Sequence, residues 1–500
     1  MQRWWQFSWL RVTINPIQRT TNMEKETPRA ESAPFRLNVK RTMLIGFAFF
    51  GILLMWQIYD SWCPTFLTEL FCKAMGKVPT EDNSDVQYLV GIMMALDNLA
   101  ALILMPIFGK LSDRTHTKIG KRMPFILIGT FLCAVALPFI PLLFYFNQLG
   151  GMIAVMAIVL ISGMMYRNPA VALMPDITPK PLRSKANGII NIMGYVGGFV
   201  ATLLGMIFVL SDFLRPGPEG ATWAYQNIWA IEAPFLVASL FMIVSALVLF
   251  FSINENRLAV ELREELDRGE KVAEIEDRIT DDDAPLTKAN LRMLIFILVA
   301  EFFWFMADNA IGTFMGNFAI YYLGCSSRNS MINTIAGGVG SVLGFALGGI
   351  IAGKIGRKWT VSGGLFLSIF SYALWAILTF AIPSAGSGVF PPYIYAIFLL
   401  KGFGMSLVHI NSFPMVVELC SKKKIGAFTG YYYAASMGAQ TITPIALGSL
   451  MLIPEFSWEI LPIYGLVMTV VAAAIFLFVK NVKTSKTKIA KGLEAFGEEE

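Results

Sequence analysis

Seven ionisable side chains lie inside long apolar runs of this sequence: Asp60, Asp97, Arg167, Glu301, Asp308, Lys401 and His409. A charge at the centre of a bilayer costs about 2.5–3.5 kcal/mol on insertion scales, so each needs a partner or a task. In "MWQIYDSWCPTF" (55–66), Trp56, Gln57, Asp60 and Pro64 recur at helical spacing, and Glu301, Trp304, Phe305 and Asp308 fall at i, i+3, i+4 and i+7. An aromatic ring one helical turn from a carboxylate suits a sugar, whose hydroxyls take hydrogen bonds while its C–H face stacks on the ring. A buried carboxylate also suits proton exchange, because burial disfavours the ionised form and a proton can be held and later released. Asp60 is the first candidate for that task and Asp97 the second, followed by Asp308 and Glu301. Trp56, Gln57, Arg167, Trp304, Lys401 and His409 are the candidates for lining a solute cavity. The same residues also admit a plainer reading, with the tryptophans as packing residues, the acids in structural ion pairs and His409 as a hydrogen-bonded core residue.

The elements that must hold these groups are transmembrane helices. The chain is 55% hydrophobic and only 15% charged over 500 residues, with a mean hydropathy of +0.59, outside the range of soluble domains. Apolar runs of about 20 residues, enough to cross a ~30 Å bilayer core, number twelve. They lie near 42–64, 86–108, 124–146, 151–174, 187–210, 228–252, 293–318, 331–352, 359–382, 392–416, 427–451 and 459–480. Lys and Arg fall on one side of that pattern, 34 against Lys73, Lys77, Arg215 and Arg328, which predicts that both termini are cytoplasmic. The net charge of +5 reflects this bias and calls for no nucleic-acid partner. The five cysteines have no metal-ligand spacing and read as free thiols, although Cys72 and Cys325 both fall on the outer side. No metal or cofactor is expected. Met23 opens the polar "MEKETPRAESAP" and offers a second candidate start of translation.

Depth follows from the helical rise of ~1.5 Å per residue counted from the nearest cytoplasmic charge. Asp97 and Arg167 come out roughly mid-membrane and are expected to pair within the first half. Glu301 and His409 share one depth and Asp308 and Lys401 another, giving two expected cross-helix pairs, while Asp60 finds no basic partner.

The polar segment 253–290 splits the chain into a first half (42–252) and a second (291–481), with tails at 1–41 and 482–500. A shift of 248 lays Trp56, Asp60, Thr65 and Phe66 on Trp304, Asp308, Thr313 and Phe314. A shift of 242 lays Arg167, Asp176 and Gly188 on His409, Glu418 and Gly430. Odd spans match odd spans, so the halves are parallel repeats. The expected fold class is therefore all-α integral membrane, twelve transmembrane helices in two parallel six-helix repeats.

That plan, with "GKLSDR" (109–114) followed by "GKR" (120–122), resembles the major facilitator superfamily and its signature between spans 2 and 3. The five-residue spacing between Arg114 and Gly120, and "NPAVALMPD" (168–176), resemble the sucrose–proton carriers; the same spacing and the run Pro124 to Thr130 resemble the melibiose-type sugar–cation symporters. The resemblance implies that spans 1, 4, 7 and 10 line a central cavity. Neither branch's coupling site carries over. Ala101, Met105 and Arg167 stand where the melibiose-type sodium ligands would be, and Val171 and Leu160 replace the charged pair of the sucrose carriers. The expectation is a proton-coupled sugar symporter, monomeric, in the cell membrane, with a small-molecule solute and a proton as partners. A proton-coupled antiporter exporting drugs or another organic solute is the alternative, and a channel or sensor stays open. An enzyme is not expected, since there is no nucleophile elbow, HExxH or nucleotide loop.

The stretch 109–125 carries five cations and Asp113. It is a topology anchor first. The resemblance further implies a cytoplasmic gate made by Gly109, Asp113, Arg114, Gly120, Lys121 and Arg122, latching onto the start of span 11 after Lys422–Lys424. The linker 253–290 is assigned tethering only.

Overall fold

The structure is a computed structural model that describes residues 35–79, 83–214, 228–279, 288–382, 384–419, 425–453 and 455–480. The candidate start Met23, the far tail and the Lys422–Lys424 latch lie outside the described residues.

Every regular element among the described residues is helical. The first half comprises α1 (Val39–Ala74), α2 (Gln87–Arg114), α3 (Met123–Ala136), α4 (Phe139–Tyr145), α5 (Leu149–Asp176), α6 (Arg183–Ile207), α7 (Leu210–Leu214) and α8 (Ile228–Ser252). Two linker helices follow, α9 (Glu255–Glu261) and α10 (Arg263–Ile279). The second half comprises α11 (Lys288–Asn317), α12 (Ser327–Ile355), α13 (Arg357–Ala381), α14 (Pro392–Val417), α15 (Ile425–Leu450) and α16 (Ile460–Phe476). Among the described residues ten helical segments are long and apolar enough to cross a membrane, with α3 and α4 forming one of them across Leu137 and Pro138. Helix α15 has 26 residues and α16 has 17, and they occupy the last two expected positions.

The helices overrun the apolar runs. Asn38 caps α1 by accepting the Arg41 N–H at 3.0 Å, and the helix continues past Pro64 for a total of 36 residues. Pro64 has no N–H for the carbonyl of Asp60, so that carbonyl loses its helical donor beside the Asp60 carboxylate. The buried core divides as the repeat requires, with two clusters drawn from residues 45–253 and two from residues 294–479.

Packing partners repeat between the halves. Helix α1 packs on α6 and α8 as α11 packs on α15 and α16; α2 packs on α5 as α12 packs on α14; α3 packs on α5 and α8 as α13 packs on α14 and α16. Contact between the halves has the same symmetry, α2 with α15 and α6 with α12. The ion pairs repeat as well: Arg122 holds Asp176 in the first half, and Arg357 holds Glu418, the position matched to Asp176, in the second.

Candidate functional site

Helix α1 is mostly buried, yet Asp60 at its middle is exposed, so this point of the helix is not covered by packed protein. Asp60 was expected to lack a basic partner. Instead Arg167 of α5 lies close enough to act on it electrostatically. The expected Asp97–Arg167 pair is not formed, because Asp97 of α2 accepts the hydroxyl of the fully buried Tyr59 at 2.7 Å. A phenol is a neutral donor that can be buried without a counter-charge, which lets Asp97 sit where a guanidinium would need desolvation. Among the described residues Arg167 makes no hydrogen bond or ion pair.

Two more first-half candidates frame this pair. Trp56 packs beside Ala101, Leu160 and Met164 and meets Tyr59 edge-on at 5.7 Å, and its indole N–H is buried without an acceptor. Gln57 donates to Ser61 at 3.0 Å along α1.

In the second half Lys401 of α14 pairs with Asp308 of α11, as expected from their matched depths. His409 does not pair with Glu301; its Nε2 lies 3.6 Å from the other oxygen of Asp308, and its ring packs against Phe305 at 5.0 Å. One carboxylate therefore serves two bases that stand eight residues apart on α14. Glu301 is fully buried with neither oxygen hydrogen-bonded. Trp304 is also fully buried, facing Phe476 of α16, so its expected place in the cavity is corrected to the helix-packing core. The stripe read on α11 is split by burial: over 301–310 the partly exposed positions are Phe302, Phe303, Phe305, Asp308 and Asn309, whereas Glu301 and Trp304 are buried. Among the described residues no cluster of His, Cys, Asp or Glu could hold a metal ion.

The halves meet at the end where α1 finishes and α2 begins. There Asn317 of α11 bonds Thr65, Thr68 and Gln87, Tyr321 bonds Glu69, and Ser211 bonds Ser327. Midway, Asn98 donates to the carbonyl of Gln440 at 3.3 Å. Close approach there requires glycine: a Cβ on Gly91 would lie 2.1 Å from the Pro444 carbonyl oxygen.

At the opposite end the charged stretch is tied up inside the first half. Arg122, buried, pairs with Asp113, donates to Ser112 Oγ at 2.6 Å and holds Asp176 at 2.9 Å, while Lys121 reaches Asp176 at 3.0 Å. The linker does more than tether. The Glu255 carboxylate accepts the backbone N–H groups of Lys121, Arg122 and Met123 at 3.0–3.2 Å and so caps the positive end of α3. Asn256 donates to the carbonyls of Thr117 and Lys118. Gly120, at φ +120°, leaves the space that the Glu255 carboxylate fills. Gly109 allows Asn168 of α5 to reach the Met105 carbonyl on α2. Arg114 stays exposed.

Tyr59, Glu69, Glu255 and Asn317 were not singled out in the sequence. Glu69 has a specific signal: it lies one turn past Pro64, on a helix whose apolar run ends earlier than the helix does.

Among curated protein sequences none matches this chain significantly. Solved structures that share its architecture include a POT family transporter in complex with 5-aminolevulinic acid (14% identity, 88% of this chain and 95% of that one, TM-score 0.59). The xylose transporter XylE from E. coli, in a partially occluded inward open conformation, is similar over 90% of this chain and 99% of its own (15% identity, TM-score 0.59). A bacterial homologue of the iron transporter ferroportin in an inward-facing state matches over 88% and 99% (13% identity, TM-score 0.60). The sequence matches the Major Facilitator Superfamily over residues 7–202, 79–381 and 297–497. This multi-pass membrane protein belongs to the major facilitator superfamily.

Proposed function

We propose that this chain is a proton-coupled sugar symporter, taking a glycoside or disaccharide by alternating access through twelve spans with both termini cytoplasmic. The observation that carries the reading is the exposed Asp60 opposite the uncommitted Arg167. An ionised Asp60 attracts Arg167, and a protonated one releases it to donate to a solute hydroxyl, so proton and solute binding favour each other. Across the cavity Lys401 offsets the charge of Asp308. Arg167 and Lys401 thus face Asp60 and Asp308, which favours a neutral polyol over an ionic solute. Trp56 supplies an aromatic surface and a free indole donor beside them.

Placing the basic loops on the cytoplasmic side makes the seam at Asn317 the outer end, and the bonds there support the reading of a state closed to the outside. The protein acts as a monomer in the cell membrane. Uptake into proteoliposomes, measured against a panel of mono- and disaccharides under imposed proton or sodium gradients, tests the reading. Accumulation of one sugar class driven by the proton gradient is expected. Solute-driven proton efflux with no sugar uptake would replace it with the antiporter.

A further inference from the structure

We infer that Glu69 is a proton-binding residue of the outer gate, distinct from the acids of the cavity. The seam between the halves is a buried polar lock. Asn317, 1% exposed, accepts the Thr65 hydroxyl at 2.8 Å and donates to Thr68 Oγ1 at 2.9 Å and Gln87 Oε1 at 3.0 Å. Four residues on, in a π-helical turn that extends α11, Tyr321 donates its hydroxyl to Glu69 Oε1 at 2.7 Å. The shift of 248 that relates the halves carries position 69 to position 317. The lock is therefore built from repeat-related positions, with an amide in one half and a carboxyl in the other.

That difference leaves a polar atom unsatisfied. The Asn317 amide is fully bonded, whereas Glu69, 0% exposed, has no partner for Oε2. The titratable groups around it are few. Tyr321 comes from the second half; Lys73 and Cys72 lie on α1; Asp85 and Lys77, which pair with each other, lie beyond them. Lys73 is turned to Asn147 Oδ1 at 2.6 Å.

A carboxylate anion sealed from water with one neutral donor is far more costly than the neutral acid. The closed lock therefore favours Glu69 with its proton, and separation of the halves hydrates the carboxyl and lets it ionise. By linkage a proton bound at Glu69 favours closure to the same extent. The Thr65–Asn317 layer lies between Glu69 and Asp60 along α1, so this proton exchanges with the outer side and is not the one carried with solute. The inference rests on alternating access and on the orientation set by the basic loops, and is independent of the solute.

The test uses the full chain in nanodiscs without solute or gradient. Spin labels at Met75→Cys and Val389→Cys, exposed positions on the two halves at this end, report the separation by pulsed electron paramagnetic resonance. The short distance is expected to dominate near about pH 5 and to give way to a longer one toward about pH 8. Glu69→Gln is expected to hold the short distance at both. Tyr321→Phe, which removes the one donor to the anion, is expected to move the opening to lower pH by about one unit. A pH-independent distance in the parent, or Glu69→Gln opening with the parent's pH dependence, overturns the inference. If Glu69→Gln does not fold, an unshifted profile in Tyr321→Phe overturns it.

Discussion

Tyr59 and Asp97 meet across α1 and α2, the phenol donating to Oδ2 at 2.7 Å. The bond ties a fully buried ring on one helix to a partly exposed carboxylate on another, so loss of either end loosens α2 from α1. Tyr59→Phe keeps the ring and removes the donor, and is expected to cost about 1–2 kcal/mol in thermal or denaturant unfolding. Asp97→Asn keeps an acceptor for Tyr59 and is expected to unfold like the parent. If transport falls in Asp97→Asn while stability does not, Asp97 has a role beyond holding α2 against α1.

The Lys401–Asp308 pair is mostly shielded, with side-chain exposures of 13% and 30%. Removing one partner strands the other, and Lys401→Met is expected to destabilise by about 2–4 kcal/mol, with His409 left as the second base near Asp308. The double variant Lys401→Met with Asp308→Asn is expected to recover most of that loss. A double-mutant cycle by thermal unfolding measures this; additive losses would mean that the two side chains do not interact.

Arg122 reaches three acceptors from one buried position through three different nitrogens of its planar guanidinium, a spread that the single nitrogen of an ammonium does not have. Arg122→Lys is expected to lower stability by about 1–3 kcal/mol. Asp113 is 59% exposed at its side chain, so Asp113→Asn is expected to leave the fold intact and reduce the rate of turnover. Melting curves beside initial uptake rates separate the two effects, and unchanged uptake in Asp113→Asn would reduce the stretch to a topology anchor.

Gly120 combines a left-handed φ with a Cβ position occupied by Glu255. Gly120→Ala is expected to cost about 1–3 kcal/mol and to loosen the linker from the 109–125 loop. Faster proteolysis at α9 in the variant would report that release; a parent-like digestion pattern would show that Glu255 holds through its hydrogen bonds regardless.

Much of this organisation is legible from spacing. The 248 and 242 shifts anticipate the repeated helix packing and match Asp176 to Glu418, the acids that pair with Arg122 and Arg357, because symmetry-related helices bury symmetry-related faces. Depth counting finds Lys401–Asp308, since two rigid helices bring equal depths together. It does not give azimuth, so Trp304 and Glu301 land in the core although they share a stripe with Asp308. Neutral partners are harder to read. Nothing in composition marks Tyr59 as the donor to Asp97, and Asn317 shows its role only when Thr65, Thr68 and Gln87 converge on it. Glu69 is hidden for another reason: hydropathy falls near Pro64, while the helix runs on to Ala74.

In the proposed symport, proton and sugar move together through a site containing Asp60. The most direct measurement is the external pH of a weakly buffered suspension of proteoliposomes when the transported sugar is added. The expected result is a sugar-dependent alkalinisation in the parent that is absent in Asp60→Asn, with sugar exchange between the two sides retained in the variant. Sugar accumulation without proton movement, or an Asp60→Asn variant that still accumulates sugar on a proton gradient, would contradict it.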